Sequence, residues 1–329
     1  MALRAPGVLG LIRKSNFKPA WWLPGAHLQT IWPVFFRRRP QLPLRIERVE
    51  LPDHDFLDIA WLKASPESPL ILVLHGLEGG IQSHYATGLL NSLWQAGFNS
   101  VFMHFRGCSS EPNRLARGYH SGETGDLSTL VEHVEQRSNN AVSAIIGFSL
   151  GGNVLLKWLG EMQEKPTLKK AVAVSVPFRL DQCAERLNQG VSRLYRNYLL
   201  RKMRSSYKRK FALIQSPLDV DVSCLKSFRD FDDKVTAPLH GFKGVDHYYS
   251  ESSSRQYLQR IRTKTLLLHA LDDPFMLPQT IPSAAELSPA VTLEISAHGG
   301  HVGFVAGRSP WRARYWVDER VLAYFSDLH

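Results

Sequence analysis

The sequence predicts an α/β protein built on a doubly wound, mainly parallel sheet. Apolar runs alternate with helical patterns over residues 44–177, the alternation stops over 178–258, and it resumes over 259–329. Alternating strands and helices form a parallel sheet with helices on both faces. We expect residues 178–258 to be a helical lid, because an insertion after a late strand lies across the carboxyl ends of the strands, where such sheets bind ligands.

Each core element follows from its local pattern. Residues 44–51 and 56–63 resemble paired strands around a turn, and 70–74 is a continuous apolar run typical of a strand buried on both faces. Further strands are predicted at 98–105, 143–148, 171–176, 264–269 and 290–295, and helices at 84–96, 123–137, 150–161, 280–287 and 312–325. Residues 1–43, rich in Pro, Trp and Arg, have no clean period. We predict an irregular arm packed on the core, with Trp21, Trp22 and Trp32 buried.

The charge distribution suggests a surface role. The net charge is +10, and eight Lys or Arg residues lie between Arg193 and Lys210 without one Asp or Glu. A second basic cluster is Arg37 to Arg39, and no nucleic-acid signature accompanies either cluster. Two interpretations stay open: a solvated basic face, or a patch on the lid that meets anionic lipid headgroups.

The number and spacing of the cysteines, together with the hydropathy, limit the possible cellular locations. Cys108, Cys183 and Cys224 are odd in number and far apart, which argues against a disulfide framework and fits a reducing compartment. The apolar stretch at 7–12 is too short to span a membrane. We therefore expect a cytoplasmic protein, with peripheral membrane contact through the basic lid as the alternative to a purely solvated face.

The candidate nucleophile is Ser149. It stands in the pentapeptide Gly147-Phe148-Ser149-Leu150-Gly151, between an apolar strand and a helical pattern. This context is what a G-x-S-x-G nucleophile elbow requires: a strained turn projects the hydroxyl from the top of the sheet. A serine in an ordinary tight turn is the alternative, and the partners below argue against it.

A serine hydroxyl needs a base and a group that orients the base. Loops after late strands supply both: Asp272 and Asp273 follow one strand, and His298 and His301 follow the last. We predict Asp272, because Asp273 precedes a proline, and His301, because it follows a flexible glycine pair. A metal site on His298, His301 and Asp272 lacks a helical H-E-x-x-H pattern and would leave the elbow unexplained.

The oxyanion hole requires two backbone N–H groups. One is predicted at Leu150, directly after the nucleophile. The other is predicted at Leu77, in the His-Gly loop at 75–80 that follows the first buried strand.

Several motifs together resemble a known family. They are Pro24 to Thr30 (PGAHLQT), His75 to Gly80 (HGLEGG), Arg106 to Ser110 (RGCSS), Gly147 to Asn153 (GFSLGGN), Phe231 to Pro238 (FDDKVTAP), Asp272 to Phe275 (DDPF) and Gly299 to Phe304 (GGHVGF). The chain resembles the α/β-hydrolase superfamily, in particular the YheT-like esterase family and the related mammalian α/β-hydrolase-domain lipases. The resemblance implies carboxylic-ester hydrolysis and puts the triad on Ser149, Asp272 and His301.

The sequence thus predicts a serine esterase that acts on a small-molecule or lipid ester, without a cofactor, a metal or a nucleic-acid partner. An acyltransferase with the same triad is an alternative, since water access under the lid decides between the two. A binding protein that retains the fold without catalysis is a third hypothesis, and the intact elbow, acid and base argue against it.

Overall fold

The computed structural model describes residues 9–163, 165 and 167–329. The first eight residues, part of the predicted arm and of the apolar stretch at 7–12, lie outside this range. Within it, nine strands form the main sheet: β1 (Leu11–Lys14), β2 (Arg45–Glu50), β3 (Phe56–Leu62), β4 (Leu70–Leu74), β5 (Asn99–Met103), β6 (Val142–Phe148), β7 (Lys170–Val174), β8 (Lys264–Ala270) and β9 (Val291–Ser296). A separate antiparallel pair consists of β10 (Val305–Ala306) and β11 (Arg314–Tyr315).

The sheet is mainly parallel, as predicted. Its order is β1-β9-β8-β7-β6-β4-β5-β3-β2. Only β3 runs against its neighbours, β5 and β2. Non-consecutive neighbours require crossovers over both faces, and the carboxyl ends of β4, β6, β7, β8 and β9 therefore meet along one edge. The loops that carry the predicted site all leave from this edge.

Ten α-helices accompany the strands in the described residues: α1 (Ala26–Phe36), α2 (Ala86–Gln95), α3 (Gly125–Ser138), α4 (Leu150–Met162), α5 (Leu180–Arg186), α6 (Ser192–Phe211), α7 (Phe228–Phe231), α8 (Ala237–Leu239), α9 (Val245–Ser252) and α10 (Trp316–Tyr324). Apolar residues of α3 and α4 pack on one face of the sheet, and those of α2 and α10 pack on the other. The doubly wound prediction is confirmed. None of the described helices combines the length and apolar character that crossing a bilayer requires.

The stretch between β7 and β8 forms five of these helices, α5 to α9, and no strand among its described residues. A π-helical turn, Asp232–Thr236, joins α7 to α8. These helices share a hydrophobic cluster of their own, which also contacts Leu77 and Phe275 from the core. The helical character predicted for 178–258 agrees with this arrangement, and the division of the chain into arm, core and lid stays a prediction.

The N-terminal arm is more regular than predicted. β1 pairs in parallel with β9, and α1 packs beside the loop after β9. Neither has a clear sequence signal, because β1 is exposed along its whole length and α1 contains Pro33 on its buried side. Of the three tryptophans predicted to be buried, Trp21 is 79% exposed, whereas Trp22 and Trp32 are half-buried.

Two predicted helices near the C-terminus are shorter or absent. Residues 280–287 form only short 3₁₀ turns, Pro278–Thr280 and Ala284–Glu286. Pro282 lies between them and has no N–H for a helical hydrogen bond, so a continuous helix cannot form there. The last helix begins at Trp316, not at residue 312, because β11 occupies the preceding residues.

Candidate active site

Ser149 lies at the sharp turn between β6 and α4. Its backbone has φ 49° and ψ −117°, a conformation that non-glycine residues rarely adopt. The turn is possible because its flanking residues lack a Cβ. A Cβ on Gly147 would lie 2.5 Å from the carbonyl oxygen of Gly151, and one on Gly151 would collide with the carbonyl oxygen of His75. The strained turn leaves the Ser149 hydroxyl at the carboxyl edge of the sheet, as the elbow motif predicts.

His301 lies within hydrogen-bonding distance of the serine. Its Nε2 is 3.0 Å from Ser149 Oγ, and its Nδ1 is 2.9 Å from Asp273 Oδ2. Because a carboxylate only accepts hydrogen bonds, Nδ1 carries the proton and Nε2 is the acceptor that faces the hydroxyl. The three side chains, 152 and 28 residues apart in sequence, form one hydrogen-bonded chain.

The carboxylate beside His301 is Asp273, not the predicted Asp272. The sequence favours Asp272 over Asp273 because Asp273 precedes a proline. The proline instead helps to orient it: Pro274 has no N–H, and Asp273 Oδ1 accepts a 2.9 Å hydrogen bond from the N–H of Phe275. This local turn holds the side chain inward, where it is 1% exposed, and leaves Oδ2 for the imidazole.

Asp272 has a different role in the same loop. Its Oδ1 accepts a 3.0 Å hydrogen bond from the N–H of Gly300, and its Oδ2 lies 3.3 Å from Nδ1 of His298. Asp272 therefore braces the loop that carries His301. His298 has a 60% exposed side chain and does not reach the serine. Among the described residues, no three His, Cys, Asp or Glu side chains are grouped so as to hold a metal ion.

The two predicted oxyanion donors flank Ser149. A Cβ on Gly76 would lie 3.3 Å from Ser149 Cβ, so the loop after β4 passes directly beside the nucleophile. On either side of Leu77, the N–H of Gly76 donates to Tyr85 and that of Glu78 donates to Tyr119, both at 2.8 Å.

No hydrogen bond between described residues uses the N–H of Leu77. Leu150 is the first residue of α4, and the N–H at that position has no acceptor within its helix. The two N–H groups are therefore available to a ligand oxygen.

His75 fixes the shape of the oxyanion loop. Its Nδ1 donates to the carbonyl oxygen of Gly76 at 2.6 Å, and its Nε2 accepts from the N–H of Phe105 at 3.1 Å. Burial lowers the pKa of His75 to about 3, so the ring stays neutral and keeps one donor and one acceptor. The His-Gly pair noted in the sequence is thus a structural brace behind the predicted donor.

The loop that carries His301 depends on α1, which the sequence reasoning did not connect to the site. The N–H of His301 donates to Oγ1 of Thr30 at 2.9 Å, and the N–H of Val305 donates to Oε1 of Gln29 at 2.7 Å. Gly303 passes so close to α1 that a Cβ there would collide with the carbonyl oxygen of Gln29. Thr30 and Gln29 both belong to the PGAHLQT motif, which is the only feature of the sequence that points to this contact.

A cavity of about 190 Å³ opens at Ser149 and extends beneath the helices of the insertion. Its lining is mostly apolar: Leu77, Leu150, Leu180, Ala184, Leu187, Leu199, Met203, Phe228, Phe231, Val235 and Phe275 are among the lining residues. Burial raises the pKa of Cys183, which also lines it, to about 12, so this thiol is not a competing nucleophile near neutral pH. The cavity exceeds the roughly 150 Å³ of an engineered cavity that binds benzene.

α6 crosses the site from one loop to the other. At its N-terminus, Ser192 Oγ donates to the carbonyl oxygen of Pro274 at 2.6 Å. Farther along, Lys202 Nζ donates to the carbonyl oxygen of Glu78 at 2.8 Å. The helix thus spans from the loop of Asp273 to the loop of Leu77 and covers the cavity between them.

The fold and this geometry agree with sequence comparisons. Residues 69–307 match the family described as alpha/beta hydrolase fold. This match covers well over half of the chain, and the chain belongs to the α/β-hydrolase fold family.

Its relatives carry esterase and lipase names. YheT from Escherichia coli, named provisionally as an esterase, is 40% identical over 313 residues, which cover 93% of this chain and 92% of YheT. Phospholipase ABHD3 from Mus musculus is 30% identical over 322 residues, covering 94% of this chain and 78% of the relative. An esterase from Pyrococcus furiosus, Pf2001, shares the fold with a TM-score of 0.55 at 15% identity, covering 96% of this chain and 98% of that structure. The chain is therefore an α/β hydrolase with esterase and lipase relatives.

Proposed function

We propose that this protein is a serine hydrolase that cleaves carboxylic esters through an acyl-enzyme. The observation that supports this most is the hydrogen-bonded chain from Ser149 Oγ through His301 to Asp273, with distances of 3.0 and 2.9 Å. Both lie in the range of real hydrogen bonds, and the strained elbow is the expected setting for such a nucleophile.

In the proposed acylation step, Ser149 Oγ attacks the ester carbonyl carbon while His301 Nε2 takes the hydroxyl proton. Asp273 keeps the proton of Nδ1 in place and stabilises the imidazolium that forms. The N–H groups of Leu77 and Leu150 donate to the oxyanion of the tetrahedral intermediate. Each such donor contributes about 3 kcal/mol of transition-state stabilisation in comparable enzymes. The imidazolium then protonates the leaving alcohol.

Deacylation repeats the sequence with water as the nucleophile. His301 removes a proton from the water, the hydroxide adds to the acyl carbon, and collapse of the intermediate returns the proton to Ser149. The acid is released and the free enzyme is restored.

The apolar cavity indicates a substrate with an apolar acyl or alcohol portion. Each methylene group that enters such a pocket gains about 0.8 kcal/mol of transfer free energy, or roughly a fourfold gain in kcat/KM. The value of kcat/KM should therefore rise with acyl length until the cavity is full, and then fall.

The test is an ester series of graded acyl length, assayed with wild type and with Ser149→Ala. Wild type should hydrolyse the series, and Ser149→Ala should lose at least about 10⁴-fold in kcat. Ser205→Ala, an exposed serine on α6, is the matched control and should keep full activity. Mass spectrometry after fluorophosphonate labelling should find the adduct on Ser149. Equal turnover by Ser149→Ala, with its thermal unfolding unchanged, would rule out the proposal.

The same assay separates hydrolysis from acyl transfer. With glycerol or another alcohol added, a hydrolase yields mainly the free acid, whereas a transferase yields mainly the new ester. A chain that forms no adduct and turns over no ester would instead be a binding protein with this fold.

A further inference from the structure

We propose that α1 and the N-terminal half of α6 form a face that docks on an anionic lipid surface. Large apolar side chains are exposed along both helices. The docking face consists of Leu28 (47% exposed), Ile31 (37%) and Phe35 (74%) on α1, and of Leu194 (67%) and Tyr198 (53%) on α6. Water-exposed apolar groups of this size, gathered together, mark an interaction site.

The spacing of these residues puts them on one side of each helix. Leu28, Ile31 and Phe35 are three and four residues apart, while Thr30 and Pro33 face the protein. Leu194 and Tyr198 are likewise four residues apart on α6.

A direct contact joins the two helices. Nδ1 of His27, which precedes Leu28, lies 3.0 Å from the hydroxyl of Tyr195, which follows Leu194. The two rings stack with centroids 5.7 Å apart. Leu28 and Leu194 are the sequence neighbours of this contact pair, so the contact brings the exposed side chains of α1 near those of α6.

The charges around this face indicate which kind of partner binds there. None of the eight Lys and Arg residues of α6 has a carboxylate within 4.0 Å in the described part of the chain. Arg38 and Arg39, directly after α1, are exposed as well. The sequence contains no Asp or Glu before Glu47 and none between Glu185 and Asp219.

Exposed apolar anchors beside exposed cations such as Arg38, Arg193 and Arg201 match a membrane that carries anionic headgroups. A second copy of the chain fits this face poorly. In a two-fold symmetric contact the same patch meets itself, so the cations of one copy would face the cations of the other. Like charges brought together across an interface are destabilising.

The docking face lies beside the candidate active site. The ring of Tyr195 is 5.0 Å from that of Phe275, and the ring of Phe275 stacks on His301 at 3.9 Å. A lipid surface on this face would therefore be two side chains away from the imidazole. The proposal concerns binding only, and it stands whether or not the ester hydrolysis proposed above is confirmed.

The first experiment measures flotation of the full-length protein with lipid vesicles. Vesicles of phosphatidylcholine with about 30 mol% phosphatidylglycerol should bind the protein at least about tenfold more tightly than phosphatidylcholine alone. Raising the salt from about 0.05 M to about 0.5 M should weaken this binding, because ions screen exposed charges. Absence of flotation with the anionic vesicles at low salt would overturn the proposal.

The apolar anchors are tested with the double variant Phe35→Ser and Leu194→Ser, which should lower vesicle affinity by about tenfold or more. The matched control is Ile46→Ser with Met162→Ser, side chains 59% and 44% exposed on β2 and at the end of α4. The control should stay within about twofold of wild type. An equal loss in both double variants would contradict the assignment of the face.

The cations are tested with Arg38→Gln, Arg201→Gln and Lys208→Gln together. This variant should lose most of the preference for anionic vesicles and most of the salt dependence. The control replaces Arg45, Lys63 and Arg137 by Gln, which removes the same charge near the opposite edge of the sheet. Unchanged thermal unfolding shows that each variant folds. If lipid-free wild type dimerises in sedimentation analysis and Phe35→Ser with Leu194→Ser abolishes the dimer, a second copy occupies the face and the proposal fails.

Discussion

In the core, the guanidinium of Arg106 lies within 3.0 Å of carboxylates from Asp53, Asp55 and Asp126. In the insertion, the carboxylate of Asp232 receives hydrogen bonds, among the residues that the structure describes, only from the hydroxyl groups of Thr236 and Tyr249, at 2.7 and 2.8 Å. The eight Lys and Arg residues of α6 likewise lack an opposite charge, since no carboxylate lies within 4.0 Å of them in the described part of the chain.

The difference separates two tasks. Paired charges and close backbone packing keep the core loops in a fixed geometry, which acid–base chemistry at Ser149 and His301 requires. The insertion supplies an apolar cavity and unpaired charge, and these features suit recognition of a substrate or a surface. We therefore expect substitutions in the core to change the rate for every substrate. Substitutions in the insertion should change substrate choice, binding or pH response.

The largest effect is expected in the loop after β8. Asp273→Asn should lower kcat by about 10⁴-fold, because an amide no longer holds the imidazole in the required tautomer. Asp272→Asn keeps an oxygen that can accept from the N–H of Gly300, and it should cost less than about tenfold. Steady-state kinetics on one short ester compares the two variants. Comparable losses, or a larger loss in Asp272→Asn, would return the orienting role to Asp272.

A change inside the cavity should be selective. Met203→Trp on α6 fills space that the longest acyl chain would occupy, and it should lower kcat/KM for long esters by about tenfold to a hundredfold. For an acetyl ester the change should stay below about threefold, since the reacting groups belong to the core. The check is the ratio of kcat/KM between long and short esters. A uniform loss of kcat/KM across the series would contradict the assignment of substrate choice to the insertion and of the reaction rate to the core.

A smaller effect is expected from α1. Thr30→Val preserves shape but removes the acceptor for the N–H of His301, and leaving a buried donor unpaired costs about 1–3 kcal/mol. We expect kcat to fall by about tenfold with little change in KM, because the imidazole loses its alignment while the cavity is unchanged. Thr30→Ser restores the hydroxyl and should recover most of the rate. If Thr30→Ser is as slow as Thr30→Val, packing of the methyl group and not the hydrogen bond is what matters.

The smallest effect concerns stability. Burial raises the pKa of Asp232 from 3.8 to about 6, so the fold favours the protonated carboxyl. Near pH 7.5 the side chain is ionised in both states and its burial opposes folding. This penalty shrinks as the pH falls through 6 towards 3.8, and it is lost below 3.8, where the protonated form predominates in both states.

Asp232→Asn should therefore be more stable than wild type, and its advantage in the free energy of unfolding should increase by about 1 kcal/mol from pH 5 to pH 7.5. Urea unfolding of both proteins at the two pH values measures this difference. A constant difference between the two proteins across this range would show that Asp232 is already ionised in the fold at pH 5, so that its pKa is not raised as described.

Much of the candidate active site could be predicted from local sequence. Ser149 could be assigned because a strand, two glycines and a helix surround it within a dozen residues, and His301 because a glycine-rich loop follows the last strand. The strands themselves followed from short apolar runs, and β4 has the predicted bounds. The cytoplasmic location stays a prediction.

The sequence by itself determined the order of the strands β2 to β9 and the loops that carry the nucleophile and the base. These depend on hydrophobic pattern and turn chemistry, which act between near neighbours in the chain. Only the tertiary structure decided between Asp272 and Asp273, brought Thr30 to the backbone of His301, and enclosed the cavity under α6. Each of these depends on the direction of a side chain or on a contact between distant segments, and neither leaves a periodic signal in the sequence.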